Sequence, residues 1–362
     1  MIKIFKMSLA GLLFSVATIS SAGMITPNPT APSIAGTAHI LQDYDSGHIL
    51  MSENADERLP PASITKLMTS YVVSQEIHDG NIKLDDEVLI SEKAWRMIGS
   101  RSFIEVNTKV TVEALLRGMI VQSGNDAAVA LAEHVAGSEE VFAQMMNQYA
   151  QKLGMVNTNY QNATGLPGPE HYTTAHDIAI LSAALIRDFP EHYQWYAEKE
   201  YTYNGITQHN RNKLLWRDNT VDGLKTGHTE EAGYCLSASA KRDGMRLIAV
   251  VLGTASENAR AQEIQKMFNF GFRFFETHQL YAADEAITQT KVWKGQTDQL
   301  NLGLAQPLSI TVPRGRYKDL QASTNIQQPV VAPVAKGTEL GEVEIRLGDE
   351  VVATRKLVAV EE

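Results

Sequence analysis

Cysteine is almost absent: Cys235 stands alone in 362 residues, so no intramolecular disulfide staples this chain. It falls in the strand-like run Tyr234-Cys235-Leu236-Ser237-Ala238, which predicts a buried thiol without a chemical role. Metal-ligand spacings are missing too. His171 and His176 lie five positions apart, off any shared helical face, and no H-x-x-x-H or Cys cluster occurs, so no metal is expected. Positive charge is scarce: 32 Lys and Arg face 42 Asp and Glu, a net charge of −10 that argues against a nucleic-acid partner. The chain also lacks internal repeats and low-complexity tracts, and its apolar run from Met7 to Ile19 is too short to span a bilayer.

What is present begins with an export signature. Lys3 and Lys6 precede that apolar run and Ser20-Ser21-Ala22 follows it as a small-residue cleavage site, the layout of a signal peptide over residues 1–22. Its removal takes away two lysines and no acid, moving the net charge from −10 to −12 and predicting a soluble exported protein. The remaining chain, about 340 residues, exceeds a usual single domain, and its texture changes near residue 280. Before that point helical patterns (Thr111 to Val121, Glu139 to Leu153, Thr174 to Ile186, Ala259 to Phe275) interleave with strands (Ala38 to Gln42, Gly233 to Ala240, Arg246 to Leu252). After it the apolar residues alternate with period two, as in Ala286 to Trp293, Leu308 to Val312 and Val343 to Leu347, and Gly348-Asp349 reads as a hairpin turn into Val351-Val352. The expectation is an α/β (α+β) domain with a mainly antiparallel sheet over residues 23–279, then a small all-β domain over 280–362.

Three short motifs follow one another in order: Ser63-Ile64-Thr65-Lys66, Ser123-Gly124-Asn125 and Lys225-Thr226-Gly227. S-x-N recurs at Ser52, Ser256 and Ser323, but S-x-x-K and K-T-G occur once each and bracket an S-G-N that opens an Ala-rich helix. Ser63 follows Pro60-Pro61-Ala62, and Ile64, Leu67, Met68, Tyr71 and Val72 form the stripe of a core-facing helix, which places Ser63 at a helix N-terminus. Free N–H groups and the positive dipole end there favour an alkoxide and then an oxyanion. Lys66, three residues on, reaches the hydroxyl and can take its proton if burial and a second cation, Lys225, lower its pKa towards neutrality. Ser123 and Asn125 sit on a turn between helices, Ser123 to relay a proton to a leaving amine, Asn125 to bind a substrate amide and steady Lys66. Lys225-Thr226-Gly227 ends a strand-like segment, Val221 to Leu224. A strand edge offers backbone groups to an extended peptide; Lys225 and the Thr226 hydroxyl hold its carboxylate, and Gly227 admits the substrate close to the backbone. Each motif alone has a plainer reading, as an N-cap at Ser63 or Asn125 and a solvated Lys66.

With Asp43-Tyr44-Asp45-Ser46-Gly47, Gly99-Ser100-Arg101-Ser102, Asn210-Arg211-Asn212, Leu214-Leu215-Trp216, His228 and Gly271-Phe272-Arg273-Phe274-Phe275-Glu276, these motifs resemble the low-molecular-mass penicillin-binding proteins, the serine D-alanyl-D-alanine carboxypeptidases with an added C-terminal β domain. The resemblance covers nearly everything from about residue 35 onward. It implies a serine penicillin-recognising (β-lactamase/transpeptidase-like) fold, an acyl-enzyme on Ser63, no cofactor, and wall-precursor chemistry in the periplasm. The implied substrate is a peptidoglycan stem pentapeptide ending in D-Ala-D-Ala, whose trimming regulates wall cross-linking, with β-lactams as covalent inhibitors. His228 then supplies the second oxyanion N–H beside that of Ser63, and its side chain borders the carboxylate pocket. Arg211 is a candidate for the same carboxylate through the resemblance alone.

Two departures stand out. Members of this group usually end in an amphipathic helix that holds them to the periplasmic face of the inner membrane, and none follows Leu357-Val358-Ala359-Val360; either the sequence is shortened or a peripheral inner-membrane association is not made that way here. Class A β-lactamases carry a loop glutamate in an E-x-x-x-N setting; the loop Gly154 to Asp177 has Glu170 but no asparagine four residues on, so slow loss of bound penicillin is expected. The alternatives are a β-lactamase or transpeptidase of the same fold, and a non-catalytic wall-binding scaffold.

Overall fold

A computed structural model describes residues 30–361; the signal-peptide expectation for residues 1–22 lies outside the described residues. The strand Met245–Thr254 is apolar on both faces, which suits a central position. It lies in the middle of a five-stranded sheet ordered Ile49–Glu53, Ala38–Asp43, Met245–Thr254, Gly233–Arg242, Val221–Thr229, every neighbour antiparallel. Side chains alternate across it. Ile40, Ile248, Val250 and Leu252 pack into a layer containing the helices Lys66–His78, Val112–Gln122, Asn125–Ala136, Glu139–Leu153 and Ala175–Asp188. Leu41, Leu247, Ala249 and Val251 face the helix Glu257–Phe274 through Ile264, Met267 and Phe268. The result is helix on sheet on helix, with the sheet buried on both sides.

The helix starts are chemically marked: Thr111, Ser138, Thr174 and Ser256 each accept the N–H three residues on. The serine helix differs from the expected one-sided stripe. Every residue from Lys66 to Ser74 is buried, because this helix is enclosed within its layer. Two of its polar side chains are bonded inward: Thr69 Oγ1 donates to the Ala163 carbonyl (2.7 Å), and Ser74 Oγ meets His192 Nδ1 (2.8 Å).

The second domain is all β. The strand Phe275–Tyr281 leaves the last helix directly and pairs with Leu308–Pro313; the expected division between residues 279 and 280 falls inside it. A six-stranded sheet follows, ordered Leu320–Ile326, Glu339–Leu347, Glu350–Ala359, Gln299–Gly303, Thr288–Trp293, Val330–Val331. Leu300, Leu302, Ile310, Val343, Ile345 and Leu357 fill the core. Where the domains meet, the fully buried Asp43 carboxylate accepts Ser46 N–H (2.8 Å), Ser46 Oγ (2.8 Å) and Thr277 Oγ1 (2.7 Å). The Thr311 hydroxyl meets both Ser46 (2.6 Å) and Thr277 (2.8 Å), so hydroxyls satisfy this charge without a cation.

Candidate active site

Pro61 and Ala62 do not open an α-helix directly. A 3₁₀ turn, Ala62–Thr65, comes first, and the α-helix starts at Lys66, so Ser63 lies in a tight turn capping the helix rather than in its first α turn. Two glycines brace that turn. A Cβ on Gly165, which has φ +87°, would lie 1.8 Å from the Ala62 carbonyl oxygen, and one on Gly227 would lie 3.1 Å from Ala62 Cβ, 3.1 Å from Pro61 O and 3.2 Å from Ile64 Cγ1. Gly227 therefore makes room for the protein's own serine turn, a second purpose beside the expected one of admitting the substrate.

Behind Ser63, the Lys66 side chain is fully buried. Its Nζ lies 3.1 Å from Ser63 Oγ, 2.7 Å from Asn125 Oδ1 and 2.6 Å from the Thr164 carbonyl. Those three acceptors match the three N–H bonds of an ammonium; once a proton leaves, two shorter bonds to Asn125 and Thr164 remain and the lone pair faces the Ser63 hydroxyl. Burial, then the charge of Arg211, brings the Lys66 pKa down from 10.5 to about 7 against the opposing pull of Asp126 and Glu139. Arg211 thus joins the expected second cation, since Lys225 and Lys66 also act on each other. Lys225, also buried, is itself held well below its ordinary value by burial, then by Lys66, Arg211 and Arg260.

Ser123 caps the helix Val112–Gln122 in the left-handed region (φ 71°), strained for a residue with a Cβ, and its buried hydroxyl has no partner among the described residues. Asn125 opens the next helix. Its Nδ2 donates to Ile98 O (2.6 Å) and its N–H to Ser100 O (2.7 Å), so the amide is locked with Oδ1 turned to Lys66. Lys225, Thr226 and Gly227 lie inside the strand Val221–Thr229, which runs on past the motif instead of ending there, and this strand is the free edge of the sheet.

These elements enclose a cleft of about 390 Å³ lined by Ser63, Ser123, Asn125, Thr226, Gly227, His228 and Arg211, with Lys66 and Lys225 behind its wall. The exposed His228 ring stacks on Tyr234 at 4.0 Å. Arg211, exposed on the segment between Ile206–His209 and Leu214–Arg217, also lines the cleft. Two participants escaped the sequence reading. Arg260, buried on the helix Glu257–Phe274, lines the cleft and donates to the Gly227 carbonyl (3.0 Å); the Thr164 carbonyl comes from a loop whose Asn162 Oδ1 accepts both Thr164 and Gly165 N–H groups (3.1 and 2.8 Å).

The residues set aside are also accounted for. His171 Nδ1 accepts from the Asn162 amide (3.2 Å), so Nε2 carries the proton and donates to Thr65 Oγ1 (3.0 Å); burial lowers its pKa to about 4. Among the described residues no cluster of three or more His, Cys, Asp or Glu could hold a metal. Cys235 is buried in the strand Gly233–Arg242, and burial raises its pKa to about 11. Glu170 is exposed and does not line the cleft.

Residues 25–256 match the family model described as D-alanyl-D-alanine carboxypeptidase, and residues 275–362 match that of the penicillin-binding protein 5 C-terminal domain. The D-alanyl-D-alanine carboxypeptidase DacC of Escherichia coli (strain K12) is 46% identical over 339 residues, 91% of this chain and 85% of that protein. Penicillin-binding protein 5 from Haemophilus influenzae superposes with a TM-score of 0.89 at 42% identity, covering 92% of this chain and 99% of that one. Penicillin-binding protein D2 from Listeria monocytogenes in its ampicillin-bound form gives a TM-score of 0.62 at 30% identity over 67% of this chain and 100% of that one. By motif, fold and these matches, the chain belongs to the D-alanyl-D-alanine carboxypeptidases, serine penicillin-binding proteins of low molecular mass.

Proposed function

We propose that the cleft removes the terminal D-alanine from a peptidoglycan stem pentapeptide by acyl transfer through Ser63. Neutral Lys66 takes the Ser63 proton as Oγ bonds to the carbonyl carbon of the penultimate D-alanine, and the N–H groups of Ser63 and His228 hold the oxyanion. The C–N bond then breaks, with the proton for the departing amine passing through the Ser123 hydroxyl, which no group among the described residues otherwise engages. Lys225, Thr226 and Arg211 grip the leaving carboxylate, joined by Arg260. Water then hydrolyses the Ser63 ester and frees the tetrapeptide. A β-lactam offers the same arrangement of carbonyl and carboxylate and acylates the same oxygen; since no loop carboxylate from Glu170 reaches the cleft, the adduct is long-lived.

The reading is carried by one observation: a fully buried lysine, brought to about 7, with its nitrogen 3.1 Å from the hydroxyl of a half-buried serine. We place the mature protein in the periplasm, where that substrate is found; among the described residues no helix is long and apolar enough to cross a membrane. The test is release of D-alanine from a diacyl-Lys-D-Ala-D-Ala peptide, run beside the lifetime of a fluorescent penicillin adduct. Release with a long-lived adduct, both lost in a folded Ser63→Ala variant, supports the assignment. Rapid drug turnover would point to a β-lactamase, and labelling of Ser63→Ala would remove the nucleophile.

A further inference from the structure

We propose that the second domain carries a docking platform for amino-sugar glycan, built around Trp293 on the outer face of the strand Thr288–Trp293. This rests on the carboxypeptidase reading, because the peptide trimmed in the cleft is borne on such a glycan. Along this strand Gln289, Lys291 and Trp293 point outward while Thr290 and Val292 are buried. Antiparallel pairing sets Gln289 opposite Asn301 and Lys291 opposite Gln299. A cavity of about 350 Å³ lies over this pair of strands, lined by Gln289, Thr290, Lys291, Asp298 and Gln299. The Trp293 side chain stands 50% exposed beside it, with the Lys291 ammonium 4.1 Å from the ring centroid.

The polar groups divide into two sets. The Gln289 amide is tied to Asn301 (2.8 Å) and the Thr290 hydroxyl to Gln328 (2.8 Å), which stiffens the floor. Lys291, Asp298 and Gln299 line the cavity, with the Lys291 ammonium at its Trp293 side. A pyranose ring presents a C–H face that packs on an indole, and its rim of hydroxyls and N-acetyl amides demands donors and acceptors close to that plane; an exposed indole beside an amide, a carboxylate and an ammonium supplies both. The distance along the strand from Gln289 to Trp293, about 13 Å, accommodates a short run of sugar rings.

Other occupants fit less well. A nucleic acid would stack on the indole but is repelled by a chain of net charge −10. An apolar protein partner needs a continuous hydrophobic patch, whereas here only Trp293 and its neighbour in register, Val331, are apolar and exposed in a polar field. Charge complementarity is local. Lys291 rests on the indole and remains available to the carboxylates that wall glycan carries on its lactyl groups and stem peptides. Docking the glycan would hold the peptides of one strand near the cleft and raise their effective concentration.

The test uses the full mature chain with insoluble glycan strands of alternating N-acetylglucosamine and N-acetylmuramic acid stripped of peptides, read by co-sedimentation. The same proteins are assayed for D-alanine release from a soluble pentapeptide and from intact wall. We expect the native chain to sediment with the glycan, and Trp293→Ala and Gln299→Ala each to weaken binding about tenfold or more. Release from the soluble pentapeptide should be unchanged in both variants while release from intact wall falls. Native chain that stays in the supernatant, or Trp293→Ala binding as tightly as the native chain, overturns the proposal. Failure of the native chain to cleave the soluble pentapeptide would instead overturn the carboxypeptidase reading, so the two failures are told apart.

Discussion

The rate of acylation should follow the ionisation of Lys66. A lysine at its ordinary pKa of 10.5 is neutral in only about one molecule in 3,000 at pH 7, whereas Lys66, at about 7, is neutral in roughly half. Only the neutral form has a lone pair for the Ser63 proton, so the rate should climb about tenfold per pH unit up to pH 7 and level off above it. At pH 5 it should stand near one hundredth of the plateau. The perturbation that tests the cause is Arg211→Gln. Arg211 is the largest influence on Lys66 after burial and disfavours a second positive charge, so its removal must move the acid midpoint upward. The plateau also drops, because Arg211 lines the cleft, so the midpoint and not the height is the readout. The assay is stopped-flow acylation by a fluorescent penicillin from pH 5 to 9 at fixed ionic strength. A flat profile between pH 5 and 8, or a midpoint that stays put or falls in Arg211→Gln, would refute Lys66 as the base. The same ionisation affects stability. Between pH 7 and 10.5 the unfolded lysine holds a proton that the folded one has released, so stability rises with pH across that window.

Replacing Ser123 with Gly should separate stability from activity: relief of the left-handed backbone and loss of an unpartnered buried hydroxyl stabilise the fold by about 1 kcal/mol, while acylation falls by roughly 10² to 10⁴. Calorimetry and labelling on one preparation check both, and a variant that acylates normally would release Ser123 from proton relay. In Gly227→Ala the new methyl, 3.1 Å from Ala62 Cβ and from Pro61 O, must push the serine turn by a few tenths of an ångström, so acylation should slow about tenfold with little change in melting temperature. Wild-type rates there would mean that the turn yields without disturbing Ser63. Thr277→Val withdraws one donor from the buried Asp43 carboxylate and should destabilise by about 1.5–3 kcal/mol in denaturant titrations, with acylation of the folded protein unaltered.

Some of this geometry was legible because it is local. Ser63 and Lys66 are three residues apart at a helix start, and Ser123 and Asn125 bracket one turn between two helices, so spacing alone brought each pair together. The alternating strands of the second domain and the capped helices were readable for the same reason. What escaped depends on long-range folding. The Thr164 carbonyl lies 98 positions from Lys66, and a carbonyl leaves no residue-specific trace in a sequence. Arg260 sits among the polar residues of an amphipathic helix, and only the packing of that helix against the sheet brings it to Gly227. Arg211 acts on Lys66 from a segment outside all three motifs, so a reading confined to motifs credited Lys225 and missed it. The packing of Gly227 on the serine turn was not readable, because its missing side chain faces a segment more than 160 positions earlier.

The placement of the catalytic strand at the margin of its sheet raises a hazard. Among the described residues no further strand lies beside Val221–Thr229, and an exposed row of backbone donors and acceptors invites a second copy of the chain to pair there. The site itself closes that opening. Asn212 Nδ2 occupies the Gly223 carbonyl (3.0 Å), and the Ala62–Thr65 turn presses against Gly227. A long strand from another molecule would collide with the serine turn before it could register. A peptide that stops in a carboxylate can slip its last residues along the remaining groove, so protection from self-association and preference for a free chain end arise from the same walls.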